Sequence, residues 1–338
     1  MQKYNGNLNT ATYVGIDCHP TEHTALAMSR FEDEKGLLRF ENTREGIRSF
    51  LSWLPTMDKQ TENVIVGLEG GGNDRHALLA KLLMQYENIY EVNPLYTKQR
   101  RTFGTRVDKS DPRDAKLIAE VLTRKLAELP KITQHDMSSH LLVLRKTVWF
   151  YEEITTQGTA IQNQLHQLKR EYTLSADKLE RQTLRMIISE REKTLGQIRK
   201  TQKTCVKQLA ALIEKQWKNL TTMKGVKTVF AAKIIAHSGG IERFANINDF
   251  IKYAGIAPKE QSSGKSKKHK KAKIGNRKLN NTIYLIAMGQ IRWNDKAKAY
   301  FEKKVKEGKT KKHALKCLMR RTACILYGML RTGDDYRN

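Results

Sequence analysis

The sequence lacks the features of a disulfide-rich or zinc-dependent protein. Its four cysteines are Cys18, Cys205, Cys317 and Cys324, and they form no CxxC pair. No group of cysteines and histidines has the spacing of zinc ligands. We therefore interpret all four cysteines as reduced residues that pack against their neighbours.

The sequence also lacks a membrane segment and a secretory signal. Its longest apolar stretch, near IYLIAM at 283–288, is far shorter than the roughly 20 residues that a spanning helix needs. The amino terminus, MQKYNGNLNT, does not have the basic and then apolar layout of a secretory signal. We therefore expect a cytoplasmic protein with no membrane partner.

Negative charge is scarce in the last third of the chain. Lys and Arg total 62 against 35 Asp and Glu, which gives a net charge of +27. The ratio is 18 to 18 in residues 1–130, 16 to 9 in 131–220 and 28 to 8 in 221–338. A net charge this positive attracts polyanions, and the phosphates of nucleic acids are the usual partner. An acidic membrane surface, or a domain that its charge merely keeps soluble, is the alternative.

The first third of the chain contains short apolar runs and helix-period segments. Three strands come first, and strands and helices then alternate. This order predicts a mixed sheet covered by helices, in an RNase H-like succession of α and β elements. The predicted strands are 12–17, 24–31, 37–42, 63–70 and 89–94, and the predicted helices are 44–54, 75–86 and one from Pro112.

Four carboxylates fall at the ends of these elements. Asp17 ends the first strand, Glu69 ends a later one, and Asp111 and Asp114 open the helix at KSDPRDAKLIAE. Carboxylates placed in this way bind Mg²⁺, a hard cation that also bridges to substrate phosphate. The structural alternative is that Asp111 is an N-cap before Pro112 and Asp114 completes a capping box. Capping and metal binding are compatible, because a capping carboxylate keeps free oxygen lone pairs.

Two heptad patterns follow the first third. The spacing predicts two long helices that pair as a coiled-coil hairpin or across a dimer, with the bend in EYTLSAD at 171–177. Two ordinary helices of a bundle are the alternative. The predicted seams are Ile154, Gly158, Ile161, Leu165 and Leu168 in one helix, and Leu195, Ile198, Gln202, Cys205, Leu209 and Leu212 in the other.

The last third is predicted to be a basic helical domain that ends in two helical segments. Its first motif, around 223–239, has a glycine turn that resembles a helix-hairpin-helix, with Lys227 in place of the second expected glycine. A dense basic tract follows, suited to neutralising a nucleic-acid backbone, although it could be only a solvated loop. The predicted nucleic-acid-binding residues are Lys227, Lys265, Lys267, Lys268, Lys270, Lys271, Lys273, Arg277 and Lys278, and His269 lies among them.

Ser263 lies at the start of this tract, in QSSG. A serine beside a glycine is most simply a turn residue. It can be a nucleophile in phosphoryl transfer if a base or a metal activates it, and here that activation would have to come from the acidic domain. We therefore predict three domains: a catalytic α/β domain at 1–135, a coiled-coil spacer at 136–220 and a basic helical domain at 221–338.

Several of these motifs together resemble the DEDD-type transposases of the insertion sequence 110 family, relatives of the Piv DNA invertases. The resemblance runs along nearly the whole chain, and the aspartate motif and the segment from AGIAP to SSG are its specific parts. The matching motifs are GID, Glu69, NP at 93–94, KSDPRDAKLIAE, GVKTVFAAKIIAHSG, RFANINDFIKYAGIAP, SSG and KIGNRKL.

The resemblance implies a fold and a reaction. A RuvC-like domain would hold Mg²⁺ with Asp17, Glu69, Asp111 and Asp114, and Ser263 would attack a DNA phosphodiester and form a covalent link before strand exchange. A structured non-coding guide RNA, called a bridge or seeker RNA, would pair with donor and target DNA. The resemblance also implies a bacterial or archaeal host, and dimers and tetramers in which one protomer's acidic site meets another's serine domain.

The sequence departs from the family pattern at three places. Gly-Gly-Gly-Asn-Asp follows Glu69, Asn280 stands where an arginine is frequent, and Lys227 replaces a glycine. None of these changes removes a catalytic residue, and Ser262 and Ser266 remain alternatives to Ser263. We therefore expect an RNA-guided recombinase. A RuvC-like nuclease or Holliday-junction resolvase that uses water, and a nucleic-acid-binding scaffold without chemistry, are the alternatives.

Overall fold

A computed structural model describes most of the chain. It covers residues 4–69, 75–101, 110–214, 216–257, 259–263, 266–270 and 275–337. The chain divides into two compact units. The first unit contains residues 1–138 and 242–245, and the second contains 139–241 and 246–338. The division into three domains stays a prediction.

The first unit is built on a five-stranded mixed sheet with the order β3-β2-β1-β4-β5. Strands β1 to β3 are antiparallel neighbours, whereas β1, β4 and β5 run parallel. The elements are β1 (Thr12–Asp17), β2 (Glu22–Met28), β3 (Glu34–Glu41), α1 (Arg44–Met57), β4 (Val64–Glu69), α2 (His76–Leu82), β5 (Ile89–Val92), α3 (Pro94–Arg101) and α4 (Asp111–Lys125).

Helices cover both faces of this sheet. Side chains alternate along a strand, so β1 directs Val14 and Ile16 to one face and Tyr13 to the other. The first face packs against α1 and α2, where Phe50 and Leu54 are fully buried. The second face packs against α4. This confirms the prediction of a mixed sheet covered by helices.

The prediction of elements in this unit missed one helix and misplaced several bounds. The strand predicted over 24–31 ends at Met28, and the strand predicted over 37–42 begins at Glu34. No helix was predicted over α3, although Asn93 and Pro94 form a strong start signal. Here the Asn93 side chain accepts a bond from the Leu95 amide at 3.0 Å, and a proline in the first turn needs no donor. The helix predicted over 75–86 ends at Leu82.

Two long helices of the second unit form an antiparallel pair. Helix α5 (Ser139–Leu174) and α6 (Lys178–Glu214) are joined by the bend at 175–177, within the predicted EYTLSAD segment. A Cβ atom at Gly158 would lie 3.2 Å from Ile198 Cγ2, and Gln202 Nε2 donates to Thr155 Oγ1 at 3.0 Å. The predicted seam residues therefore face each other within one chain. Near the end of α6 the buried residue is Ile213, whereas Leu212 is only half-buried.

The rest of the second unit is not purely helical, contrary to the prediction. A hairpin of two short antiparallel strands interrupts it, and three helices follow the hairpin where two were predicted. Asn294 explains the additional helix, because its side chain accepts bonds from the Lys296 and Ala297 amides and so starts α10. The elements are α7 (Thr228–Ser238), α8 (Ile247–Tyr253), β6 (Lys259–Ser263), β7 (Ser266–Lys270), α9 (Arg277–Trp293), α10 (Asp295–Lys306) and α11 (Lys311–Thr332). Across the described residues, no helix is both long and apolar enough to cross a membrane.

Candidate active site

Two predicted site residues lie at the ends of neighbouring parallel strands. Ile16 of β1 pairs with Leu68 of β4. Asp17 and Glu69 are the next residues of the two strands, and both are half-buried. Parallel strands that end at the same edge of a sheet bring their last side chains close together. This edge is therefore the centre of the candidate site.

Gly15 brings helix α4 against this part of the sheet. A Cβ atom at Gly15 would lie 2.1 Å from the Ala115 carbonyl oxygen and 2.5 Å from the Ala119 amide nitrogen. Only a residue without a side chain allows the backbone of α4 to approach β1 so closely. Asp114 is the residue before Ala115, and it is buried. The contact at Gly15 therefore helps to position this third carboxylate.

The two aspartates of α4 have different environments. The Asp114 side chain is 11% exposed and forms an ion pair with Arg101, whereas Asp111 is exposed. The capping interpretation of Asp111 was wrong, because the helix begins at Asp111 itself and Ser110 is in the N-cap position. Ser110 accepts a bond from the Asp114 amide at 3.0 Å through its main-chain oxygen. Among the described residues, the Asp111 carboxylate makes no capping bond.

Helix α3 provides partners for two of the carboxylates. Thr97 Oγ1 donates to Glu69 Oε1 at 2.7 Å, and Arg101 donates to Asp114 Oδ1. Thr97 and Arg101 are four residues apart, so they lie on one face of the helix. Glu69 and Asp114 therefore both contact a single face of α3. The sequence interpretation missed Thr97 and Arg101, and a correct helix over 94–101 would have placed them together.

The site contains side chains of the chemical type that binds a divalent cation. The carboxylates of Asp17, Glu69 and Asp114 are hard oxygen donors, and the guanidinium of Arg101 already places one positive charge on Asp114. Within the described ranges, however, no three His, Cys, Asp or Glu side chains form a group that could hold a metal ion. The structure places Asp17 and Glu69 at the ends of adjacent strands, and it places Glu69 and Asp114 in contact with α3, whereas Asp111 is exposed. Their joint role as metal ligands stays a prediction.

A groove of about 880 Å³ lies between α3 and α4. Five basic side chains line it: Arg100, Arg113, Lys116, Arg124 and Lys125. Acidic side chains pair with most of them, as Arg100 Nε donates to Glu120 at 2.6 Å and Lys116 Nζ contacts Glu34 at 2.6 Å. The described part of the groove is therefore nearly neutral, which agrees with the balanced charge of residues 1–130.

The serine and its basic tract belong to the second unit. Ser263 ends β6 and pairs in register with Ser266 of β7, and Ser262 pairs with Lys267. Lys267, Lys268 and Lys270 lie on β7, whereas Lys265, Lys271 and Lys273 are outside the described residues. Lys227 is exposed at the N-cap of α7, and Arg277 and Lys278 open α9.

The base of the hairpin is held by close packing and by an asparagine. A Cβ atom at Gly275, where φ is +119°, would lie 2.5 Å from the Gly255 amide nitrogen. Asn276 donates to the His237 main-chain oxygen at 3.0 Å and accepts from the Leu279 amide at 3.0 Å. The described residues that precede β6 and follow β7 in the sequence are therefore in close contact with each other.

Two family models match the chain at these structural units. Residues 14–174 match the model of DEDD transposases of IS110 type, described as Transposase. Residues 217–302 match the model described as Transposase IS116/IS110/IS902 family. The chain belongs to the IS110 family of transposases. The matched amino-terminal domain of this family is RNase H-like, in agreement with the mixed sheet.

Relatives of this IS110-family chain include proteins of two insertion elements. The chain is 29% identical over 159 residues to the insertion element IS110 uncharacterized 43.6 kDa protein of Streptomyces coelicolor, and that match covers 46% of this chain and 39% of the relative. It is 30% identical over 134 residues to the insertion element IS900 uncharacterized 42 kDa protein of Mycobacterium paratuberculosis, covering 37% and 34%. The matched segments thus span little more than a third of either relative.

A third relative matches along its whole length. The chain is 23% identical over 340 residues to the pilin gene-inverting protein of Moraxella bovis, covering 96% of this IS110-family chain and 97% of the relative. Similarity therefore extends through the first unit, the two long helices and the basic remainder of the second unit.

Proposed function

We propose that this IS110-family chain is a transposase that cuts and exchanges DNA strands. The observation that carries the proposal is the position of Asp17 and Glu69 at the ends of adjacent parallel strands, with Asp114 on the helix packed against them. Carboxylates at such an edge suit phosphoryl transfer. The full-length similarity to a protein named for gene inversion supports strand exchange as the outcome.

Asp17, Glu69, Asp111 and Asp114 are the residues that would hold one or two Mg²⁺ ions. A bound Mg²⁺ polarises a phosphoryl oxygen and stabilises the charge that develops in the transition state. The protein's contribution would be to bring these carboxylates together near one edge of the sheet. Gly15 contributes by allowing α4 to approach, and Thr97 by orienting the Glu69 carboxylate.

Ser263 is the proposed nucleophile of the reaction. Its oxygen forms a bond to phosphorus, and the bond from phosphorus to one deoxyribose oxygen breaks. The serine hydroxyl loses its proton and the leaving deoxyribose oxygen gains one, so that the DNA strand becomes covalently linked to the protein. A deoxyribose hydroxyl of another strand then reverses these steps and completes the exchange.

The basic residues of the second unit are the proposed contacts for nucleic acid. The charge of +20 in residues 221–338 suits the backbones of donor and target DNA and of a structured guide RNA. We infer from the family resemblance that base pairing with this RNA selects the DNA sequence. The tract itself contains no aromatic side chains that could stack on bases. A homo-oligomer, a dimer or a tetramer, would bring one protomer's serine to another's acids.

Replacement of Ser263 by alanine tests the proposal. In Ser263→Ala we expect the covalent protein–DNA adduct and strand exchange to disappear, while RNA binding persists. Ser262→Ala and Ser266→Ala are the matched controls, because both serines lie in the same hairpin. Full recombination by Ser263→Ala, or loss of the adduct in a control variant alone, would show that the nucleophile is assigned wrongly.

The same variant separates the transposase from a RuvC-like nuclease or resolvase. That candidate is favoured by the acids alone, which can activate water as the nucleophile. Ser263→Ala would then still cut DNA, and wild-type protein would form no adduct. A non-catalytic scaffold makes a different prediction, since Asp17→Asn combined with Asp114→Asn would leave its function intact. Cleavage of DNA with and without Mg²⁺, in the presence of co-purified RNA, measures this.

A further inference from the structure

Helix α9 exposes large apolar side chains opposite its buried stripe. Tyr284, Leu285 and Met288 are 39% to 45% exposed, and Trp293 at the carboxyl-terminal end of the helix is 61% exposed. A surface helix normally has polar side chains on its outward side. A contiguous group of exposed apolar side chains usually marks an interaction surface. The outward side of α9 is therefore a candidate for contact with a partner.

These side chains form two neighbouring rows along the helix, because residues three or four apart are neighbours on a helix surface. Tyr284 and Met288 lie in one row, and Leu285, Gly289 and Trp293 lie in the next. A Cβ atom at Gly289 would meet no atom within 4 Å among the described residues. A partner can therefore approach the helix backbone closely there. We call these five residues the α9 surface.

Helix α9 carries positive charge and no negative charge. Residues 277–293 include Arg277, Lys278 and Arg292 and contain no Asp or Glu. The guanidinium carbon of Arg292 lies 5.0 Å from the ring centre of Trp293, so a cation already covers this aromatic side chain. A second copy of the chain would bring these cations against themselves, and like charges across an interface oppose association. The charge of α9 therefore suits an anionic partner.

The glycine turn at 224–227 adds two cations beside the α9 surface. Gln290 of α9 donates through Nε2 to the main-chain oxygen of Lys224. A Cβ atom at Gly225, where φ is +82°, would lie 3.8 Å from the main-chain carbonyl carbon of Gly289. Lys224 and Lys227 are both exposed. The turn thus places exposed lysines next to the row that contains Gly289.

We propose that the α9 surface binds unpaired nucleotides of a nucleic-acid strand. Bases stack on Trp293 and Tyr284. Arg292, Lys224 and Lys227 contact the phosphates of the same strand. An unpaired base offers its π-face to an aromatic side chain, whereas the bases of a duplex are stacked on each other. The proposal rests on the proposed function, since it takes nucleic acid as the partner.

The first test compares single strands with duplex. Full-length protein is freed of co-purified nucleic acid and kept in EDTA to prevent cleavage. Fluorescence anisotropy then measures its affinity for labelled oligo(dT), oligo(U) and a duplex of equal length. We expect Trp293→Ala and Tyr284→Ala to bind single strands about fivefold or more weakly, because base stacking is lost, and the duplex to change by less than about twofold. The strand with the larger loss, DNA or RNA, is the preferred occupant.

Two further variants separate stacking from other effects. Trp293→Phe keeps an aromatic ring and should retain most of the affinity. Phe31→Ala removes an aromatic side chain of the first unit that is 75% exposed, and it should match wild type. None of these substitutions removes a charge, so the slope of log K against log salt should stay that of wild type. Equal affinity of all variants for single strands, or an equal loss for single strands and duplex, overturns the proposal.

The second test uses the unaltered wild-type chain and does not depend on the folding of a variant. A single strand containing 5-iododeoxyuridine is crosslinked to the protein by ultraviolet light, and mass spectrometry locates the adducts. We expect adducts at Tyr284 or Trp293, which lie in the tryptic peptides 279–292 and 293–296. Excess unlabelled single strand should remove these adducts more effectively than duplex does. Adducts found only in other peptides contradict the proposal.

Three outcomes distinguish this inference from the proposed function and from a protein interface. If wild type binds neither single strands nor duplex, the proposed function itself fails. If wild type binds both and Trp293→Ala binds them equally well, the function stands and only the role of the α9 surface is rejected. If Trp293→Ala dissociates a wild-type oligomer in sedimentation velocity without changing the affinity for single strands, the surface binds a second copy of the chain and the proposal is wrong.

Discussion

At the residue scale, Glu152 of α5 joins three helices of the second unit. It accepts a bond from His237 Nε2 at 2.8 Å and contacts Lys278 Nζ at 2.8 Å and Lys233 Nζ at 3.4 Å. Burial by itself would raise the pKa of Glu152. The bonds from His237 and Lys278 and the charges of His237 and Lys233 instead lower this pKa to about 2. Lys278, a predicted nucleic-acid contact, is therefore also held by the protein.

Replacement of Glu152 by glutamine should make the second unit less sensitive to acid. A carboxylate whose pKa is lower in the folded state than its usual 4.5 stabilises the fold above that value. This stabilisation is lost as the pH falls from 4.5 toward 2. We expect wild type to lose about 1–3 kcal/mol more than Glu152→Gln between pH 6 and pH 2.5. Urea unfolding followed by circular dichroism measures the difference. The exposed neighbour provides the control, Glu153→Gln, and an equal loss in all three proteins would contradict the prediction.

Individual site residues were predictable only where local sequence determines their position. Asp17 and Glu69 end apolar runs, so their place at strand ends could be predicted from the sequence. The partner of Asp114 could not, because the Arg101–Asp114 contact depends on how α3 packs beside α4. Glu152 was missed for the same reason, since its partners lie about 80 to 125 residues further along the chain.

At the element scale, the packing of α4 on β1 is the contact on which the acidic site depends. Gly15 and Gly67 are paired across β1 and β4, yet they meet different atoms. A Cβ at Gly15 meets the backbone of α4 at 2.1 Å, whereas a Cβ at Gly67 meets the Leu122 side chain at 2.8 Å. A side chain can rotate away, but the backbone of a packed helix cannot.

Gly15→Ala should therefore destabilise the first unit by at least about 3 kcal/mol, and Gly67→Ala by only about 1 kcal/mol. Gly15→Ala should also weaken Mn²⁺ binding, because the added methyl group would push α4, and Asp114 with it, away from the strand ends. Urea dependence of hydrogen exchange in peptides from β1 and β4 measures both stabilities. Equal effects of the two substitutions would mean that the approach of α4 to β1 is not rigid.

The elements that were missed are those in which local and tertiary signals differ. Helix α3 is short, and its strongly polar sequence hides the start signal at Asn93 and Pro94. The hairpin of β6 and β7 has almost no apolar residues, so no alternation of apolar and polar positions could reveal it. The long helices and the central strands were predictable because their apolar periodicity is strong.

At the scale of the whole molecule, the two units differ in charge as well as in architecture. The first 130 residues are neutral and hold the acids, and residues 221–338 carry +20. A unit with no net charge does not attract a polyanion by long-range electrostatics. We therefore expect the second unit to provide most of the affinity for nucleic acid.

Removal of three lysines from β7 should weaken nucleic-acid binding and its dependence on salt. In the triple variant Lys267→Gln, Lys268→Gln and Lys270→Gln, the slope of log K against log salt should become shallower by up to about 3. Fluorescence anisotropy of a labelled duplex from 50 to 300 mM salt measures the slope. The control replaces three exposed lysines of α6, Lys200, Lys203 and Lys207, and removes the same charge. A similar change in both variants would show that only net charge matters.

The first unit includes residues 242–245, which lie about 100 residues further along the sequence than the rest of that unit. Arg243 of this segment is 8% exposed and donates to Glu91 of β5 at 2.8 Å, and Arg75 contacts the same carboxylate at 3.6 Å. A gene that exchanged its first 138 codons with a related element through a single crossover would combine its own Arg243 with a foreign β5. A recombinant gene of this kind would keep the ion pair only if the foreign β5 also had an acidic residue at the position of Glu91. This requirement favours inheritance of the reading frame as one piece.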